Sequence, residues 1–428
     1  MNAPTGITGT LRATGTHLVQ AFGRLGAAGL CLLLLALPAL PAAVPVALML
    51  FIVGWGWHQR SGWKQRGRPS WRDPLPWMMA FFLLHVLGMA WTEDVGFGLF
   101  DLEIKATLLV LPAVALLLPP FGRDVRQAAL FLAAWACALT VMGLLVAALF
   151  RLATTGGLDP ALELFSARFS PLVHPSYLAQ YLVFALGAWV LTPLHRQLGH
   201  VAGGIVVVLL CLGVVLSGSK MGWILLVLTL GSALVLRWQD RGLRRLLLLL
   251  AGGSTAGLVA LVLLSPYASS RLEEAWQAAF SERVDDRAET SSAVRRITWS
   301  AATTLIAEQP LLGTGTGDIK NELLRIYAER GQEWVLEHRL NAHSQFLQST
   351  ACLGLAGGLV LLCLVLLPLA GPWRKDPVVW LFLLSCGLNW AVESMLEVQA
   401  GVVWTALVAV LVFRTRTGID RHSSLARP

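Results

Sequence analysis

Apolar stretches of about 20 residues recur from one end of the chain to the other, separated by short clusters of Gly, Pro and charged residues. A helix of that length crosses a hydrocarbon core of roughly 30 Å. Taken between their interruptions, the runs predict spans at 25–40, 43–57, 76–91, 104–119, 127–150, 175–193, 201–217, 221–236, 244–264, 343–368, 377–393 and 399–413, about twelve transmembrane helices. Runs such as 246–264 are apolar on every face instead of alternating with period two, which excludes a membrane β-barrel. One long polar interval, 265–342, is large enough to form a small subdomain outside the bilayer. The expected organisation is therefore helices one to nine within 1–264, a loop subdomain at 265–342, helices ten to twelve within 343–413, and a tail at 414–428. Neither an internal repeat nor a low-complexity segment interrupts this plan, and no soluble catalytic domain is expected at either end.

Composition sharpens the class. Only 14% of residues are charged and 56% are hydrophobic, with a mean hydropathy of +0.66. A soluble domain carries roughly a quarter charged residues, so a water-soluble globular protein is excluded and an all-α integral membrane protein is expected. The first apolar run resembles a signal peptide around Ala36-Leu-Pro-Ala39, but Pro38, Pro41 and Pro45 fit two helices meeting at a tight turn, and the segment is expected to be retained. Cys31, Cys137, Cys211, Cys352, Cys363 and Cys386 all lie in apolar stretches without metal-ligand spacing, and are read as small packing residues.

Charge sets the orientation, because Lys and Arg are retained in the cytoplasm while acids contribute little. With the N-terminus inside, the inner segments hold 20 of the 33 Lys and Arg but only 5 of the 25 Asp and Glu. Both termini are thus expected in the cytoplasm, with the 265–342 loop outside. Several of the outer cations sit at membrane edges: Lys105, Arg168, Lys220 and, in the loop, Arg271, Arg295 and Arg296. One such cation can snorkel or pair with outer acids. Four separated segments that each bring a cation to one leaflet, Lys105, Arg168, Lys220 and Arg296, point instead to a convergent anion site of the kind that holds a pyrophosphate.

Of the nine histidines, His174, His338 and His343 fall on the outer side. His343 lies where the loop enters the tenth helix, flanked by Asn341, Ser344, Gln345 and Gln348. An imidazole in such a polar helix mouth can take a proton from a hydroxyl. No Asp-x-Asp metal motif appears; Asp285-Asp286 sits in a run of alternating charge and reads as a solvated helix face.

These residues carry a resemblance. Arg296-Ile-Thr-Trp299, then Gln309-Pro-Leu-Leu-Gly313-Thr-Gly-Thr-Gly317, then Asn341-Ala-His343-Ser-Gln-Phe-Leu-Gln348 and Leu353-Gly-Leu355 look like the core signature of the O-antigen ligase superfamily. Upstream, Arg168-Phe-Ser170 with His174-Pro-Ser-Tyr-Leu-Ala-Gln-Tyr181, and Ser217-Gly-Ser-Lys220-Met-Gly-Trp223, resemble the openings of two further helices in that family. The chain departs from the family pattern in having Ser219-Lys220 for Ser-Arg and His343-Ser344 for His-Asn. The lysine keeps the charge but loses the bidentate fork.

What the resemblance implies is a cofactor-free, metal-independent, inverting glycosyltransferase of the bacterial inner membrane. It would move a glycan from undecaprenyl pyrophosphate to an acceptor at the periplasmic leaflet, completing lipopolysaccharide where the acceptor is the lipid A-core. His343 would be the catalytic base, with His338 the competing candidate. Arg296, Arg168, Lys220, Lys105 and Arg295 would bind the donor pyrophosphate, Arg295 from behind, and His338, Asn341 and His174 would stand near the acceptor. The ligase is favoured over the O-antigen polymerase and the O-linked protein oligosaccharyltransferase by the single long external loop. A transporter would place ionisable residues near the bilayer centre and show inverted repeats, neither of which the sequence has. The expected partners are the lipid-linked donor, the lipid acceptor and the bilayer, and no nucleic acid.

Overall fold

The structure is a computed structural model that describes residues 7–65, 70–196, 200–264, 269 and 291–415. The expected positions Gly67, Arg271, Asp285 and Asp286, and the tail beyond residue 415, lie outside the described residues. The first half contains α1 (Ile7–Ala39), α2 (Val44–His58), α3 (Pro74–Gly88), α4 (Val95–Lys105), α5 (Thr107–Leu117) and α6 (Arg123–Thr154). Two short turns of helix, α7 (Pro160–Glu163) and α8 (Ser166–Phe169), precede α9 (Pro175–Leu191), α10 (His200–Leu216), α11 (Lys220–Leu236) and α12 (Arg241–Leu264). After the long polar interval begins, α13 (Ser291–Glu308), α14 (Ile319–Glu329) and α15 (Glu333–Glu337) lead to α16 (Gln345–Leu366), α17 (Pro377–Val392) and α18 (Gln399–Phe413).

The protein is thus all-α, and among the described residues the single β feature is an isolated bridge between Phe121 and Thr415. Each of the twelve apolar runs is helical. Five helical segments are long and apolar enough to cross a membrane, Thr8–Ala39, Pro41–His58, Pro74–Trp91, Arg123–Thr154 and Gln345–Ala370; α9, α11, α17 and α18 and the segment Val201–Leu216 are shorter apolar helices.

Two boundaries differ from the sequence expectation. The run expected at 104–119 is two helices, since Asp94 caps α4 by accepting the Phe97 N–H at 2.9 Å and starts it nine residues early, at Val95. The first helix begins at Ile7 instead of 25, bends at Gly23 (φ 72°), buries Leu18, and packs Phe22 edge-on against Phe51, Trp55 and Phe121. Glycine allows that close approach: a Cβ on Gly29 would sit 2.3 Å from the Phe51 nitrogen.

The helices alternate between two ends. At one, Arg126 pairs with Asp376, His17 lies 3.0 Å from Asp124, and the Arg414 guanidinium donates to the Leu118 carbonyl at 2.7 Å. At the other, Asp318 accepts the N–H groups of Glu93 and Asp94, both at 2.8 Å, Arg151 pairs with Glu163 at 2.8 Å, and His343 meets Glu393. The first end also presents exposed tryptophans under arginines, with Arg60 4.4 Å from Trp57, Arg72 4.8 Å from Trp71 and Arg244 5.0 Å from Trp238. Amphipathic rings with adjacent cations are what a membrane–water boundary selects.

The described part of the 265–342 interval is a helical layer over the His343 end. Ile319, Leu323, Ile326 and Tyr327 form the buried stripe of α14, while Arg325 on its outer side binds Glu308, Glu322 and Glu329. The Gln309–Gly317 motif is the latch between this layer and α16. Thr314 and Gly315 donate backbone N–H groups to the Ala351 and Cys352 carbonyls at 2.9 and 3.0 Å, and Leu355 donates to Pro310 at 2.9 Å. Gly354 breaks α16 there with φ 68°, and a Cβ on it would lie 2.1 Å from the Leu311 carbonyl oxygen, so the motif's glycines serve close backbone contact.

Candidate functional site

The polar segment Asn341-Ala-His343-Ser344 crosses from the helical layer into the mouth of α16. Its backbone is held on every side. Thr298 reaches the Ala342 carbonyl at 3.3 Å, Gln348 Oε1 accepts the Ala342 N–H at 3.0 Å, Asn341 Oδ1 accepts the His343 N–H at 3.0 Å, and the Trp299 indole donates to the His343 carbonyl at 3.2 Å. Ser344 caps α16. These bonds hold His343 in the left-handed region, φ 45°, a conformation that non-glycine residues keep only when their surroundings dictate it.

The side chain so presented is half-buried, and its Nδ1 lies 3.1 Å from Oε1 of Glu393. Glu393 follows the last residue of α17 and opens the turn 393–398. Its other oxygen is 3.9 Å from Arg295, whose Nε donates to the Val392 carbonyl at 2.9 Å. Burial pushes the Glu393 carboxyl up, but the hydrogen bond and charge of His343, with His174 and Arg295 adding to them, prevail and hold it below the usual glutamate value. An ionised Glu393 accepts a proton-bearing Nδ1, which leaves Nε2 of His343 as the nitrogen able to take a proton. Base and orienting carboxylate within hydrogen-bond reach are the geometry that general-base chemistry needs.

The remaining expected residues divide into those gathered at this end and those committed elsewhere. Arg296 is exposed on α13, next to Arg295, and has no ion pair or hydrogen bond among the described residues. Arg168 has 74% of its side chain exposed, 3.6 Å from Glu163, which also holds Arg151. Lys220 is half-buried and opens α11 after the cap Ser219. Phe165 packs on Trp223, centroids 6.2 Å apart, so the Arg168 and Lys220 segments adjoin. His174 caps α9 through Ser176, and Tyr177 one turn on touches the Ser394 carbonyl at 3.5 Å, which joins these segments to the Glu393 turn.

Lys105 stands apart from the exposed cations. Its side chain is 0% exposed, salt-bridged to Asp101 and, at 3.1 Å, to Glu397. Desolvating an ammonium is tolerated only with such partners, and none of its surface is left for a ligand. Glu397 also accepts from Gln345 at 2.9 Å, and Gln345 in turn accepts the Leu396 N–H at 2.6 Å. Lys105 therefore anchors the far end of the turn whose near end carries Glu393. His338, the alternative base, is exposed, stacked 4.1 Å over Trp334 and bonded to its carbonyl at 2.9 Å, with no contact to Glu393. Among the described residues no three His, Cys, Asp or Glu side chains converge as metal ligands would.

Sequence reading missed Glu393, Glu397 and Arg151. The signal available for the first two was a pair of acids in a six-residue connection between two apolar helices, where a charge needs a partner.

No curated protein matches the chain. Residues 205–362, which hold Lys220, Arg295, Arg296, Asn341 and His343, match the family model described as O-antigen ligase, the superfamily that the sequence motifs resemble.

Proposed function

We propose that the protein transfers O-antigen polysaccharide from undecaprenyl pyrophosphate to the lipid A-core at the periplasmic face of a bacterial inner membrane. The observation that carries this reading is the His343–Glu393 pair; His343 and Arg296, which has no ion pair or hydrogen bond among the described residues, both fall in the matched region 205–362. In the reaction the acceptor hydroxyl oxygen attacks the anomeric carbon. Its proton passes to Nε2 of His343, and the bond from that carbon to the pyrophosphate oxygen breaks. Glu393 stabilises the imidazolium that forms. Arg296, with Arg168 and Lys220, holds the charge that develops on the departing undecaprenyl pyrophosphate, while Arg295 steadies Glu393. A single displacement inverts the anomeric centre. Pyrophosphate is already a good leaving group, so cations and one base suffice without a metal.

The test is transfer by the purified protein from an undecaprenyl-pyrophosphate-linked glycan, with lipid A-core and a peptide offered as competing acceptors in the presence of chelator. Product on lipid A-core, undiminished by chelator, is expected. Lengthening of the glycan on its carrier would identify a polymerase, and glycan on the peptide a protein oligosaccharyltransferase. Loss of transfer in chelator would remove the metal-independent mechanism.

A further inference from the structure

The end of the molecule opposite His343 has its own cavity. A groove of about 690 Å³ runs between α11 and α17, with Leu228, Thr229, Gly231, Val235, Leu381 and Leu384 among its walls. α17 runs from Pro377, beside this groove, to Val392, beside Glu393, so its 16 residues separate the two places by about 24 Å. Three features mark the groove as built to hold something apolar with a negative head. Gly231 faces open space, with nothing within 4 Å of a Cβ placed on it, so a helical glycine leaves a notch that packing does not require. Arg237, Arg374 and Lys375 all stand on its rim. Arg237 is fixed by its bond to the Leu191 carbonyl, whereas Arg374 and Lys375 are exposed and have no side-chain ion pair or hydrogen bond among the described residues. Trp380, also on the rim, donates its indole N–H to the Arg374 carbonyl at 2.7 Å, which places an exposed interfacial ring beside the cations.

We propose that this groove binds an anionic glycerophospholipid, one acyl chain lying along the α11–α17 walls and the phosphate meeting Arg374 and Lys375. The membrane supplies such lipids from the side onto which the groove opens, and juxtamembrane basic residues attract their headgroups. A zwitterionic lipid would offer the same chain but would set its own ammonium near the three cations. The proposal is independent of which glycan the His343 end transfers.

Native mass spectrometry and thermal unfolding of the detergent-purified protein, titrated with phosphatidylglycerol or with phosphatidylcholine of identical chains, test it. The protein is expected to retain one phosphatidylglycerol and to melt higher in its presence, with phosphatidylcholine at least tenfold weaker. The R374Q/K375Q double variant should lose that preference, and G231W, which fills the notch with the charges intact, should lose the retained lipid. A control variant, R60Q/R72Q, removes cations at the same end but away from the groove and should behave as wild type. Equal retention of the two lipids would overturn the proposal. So would phosphatidylglycerol binding that survives R374Q/K375Q, or a loss in R60Q/R72Q as large as in R374Q/K375Q, which would mean unspecific attraction to a basic surface. Since R374Q/K375Q alters only exposed side chains, the proposal stays testable even if G231W folds poorly.

Discussion

At the scale of single residues, the sequence announces His343 and conceals its partner. His343 stands out because polar residues crowd a helix mouth in otherwise apolar surroundings; Glu393 is 50 positions away and becomes its partner only when the α17–α18 turn folds over the start of α16. The pair makes two predictions. His343→Ala should lower single-turnover transfer by about 10²- to 10⁴-fold, the usual worth of a general base, while binding of donor lipid persists. His338→Ala should retain wild-type transfer, and the opposite pattern would move the role to His338. Glu393 adds a pH signature. Its folded pKa lies below the unfolded one, so its ionised form contributes stability that is complete above the ordinary glutamate range and is lost as the pH falls through the lowered value. Thermal unfolding of Glu393→Gln should therefore show a deficit against wild type at neutral pH that closes only under acid conditions; a deficit constant down to low pH would mean that the carboxylate charge is not what His343 and Arg295 engage. Arg296→Ala should abolish transfer with folding intact, since among the described residues its guanidinium holds nothing in the protein together. Unchanged transfer in that variant would remove the pyrophosphate clamp.

At the scale of helices and turns, the hydrophobic runs match helices because an apolar run of that length needs no tertiary information to be recognised, but the caps and joints did not follow from hydropathy. Asp94 and Gly23 set boundaries through local backbone chemistry, and the α4–α5 joint carries a cation that only its tertiary partners make tolerable. Lys105 looked like part of an anion site for that reason: a lone membrane-edge cation and a buried structural one have the same sequence appearance. The two roles separate experimentally. Removing Lys105 alone leaves Asp101 and Glu397 without their cation, a change typically worth about 3–5 kcal/mol, so Lys105→Ala should be strongly destabilised. The Lys105→Met, Glu397→Gln double variant removes one charge of each sign and should recover part of that stability. If Lys105 only positions the 393–398 turn, the double variant should keep the wild-type KM for donor and lose kcat as the Glu393 carboxylate shifts. A raised donor KM in the folded double variant would return Lys105 to the pyrophosphate site.

At the scale of the whole molecule, the charge bias and the contacts describe one arrangement by independent routes. The cations assigned inward by sequence counting, among them Arg126, Arg374 and Arg414, share the end that carries the tryptophan–arginine stacks. The residues of the candidate site share the other end, under the α13–α15 layer. What could not be read from sequence is how that layer meets the bundle, because the latch depends on backbone contacts between the Gln309–Gly317 segment and α16 rather than on side-chain pattern. The arrangement predicts the sidedness of the protein. Gly331 lies between α14 and α15, exposed and with nothing within 4 Å of a Cβ, so a cysteine there changes little beyond a strained φ of 63°. The six native cysteines lie within apolar helices and give little background to a charged reagent. In intact cells Gly331→Cys should react with a membrane-impermeant thiol reagent, whereas Gly67→Cys, in the basic segment between α2 and α3, should react only after the cells are opened. Labelling of Gly67→Cys alone in intact cells would invert the molecule. The His343 site would then face the cytoplasm, and transfer at the periplasmic face would be impossible for it.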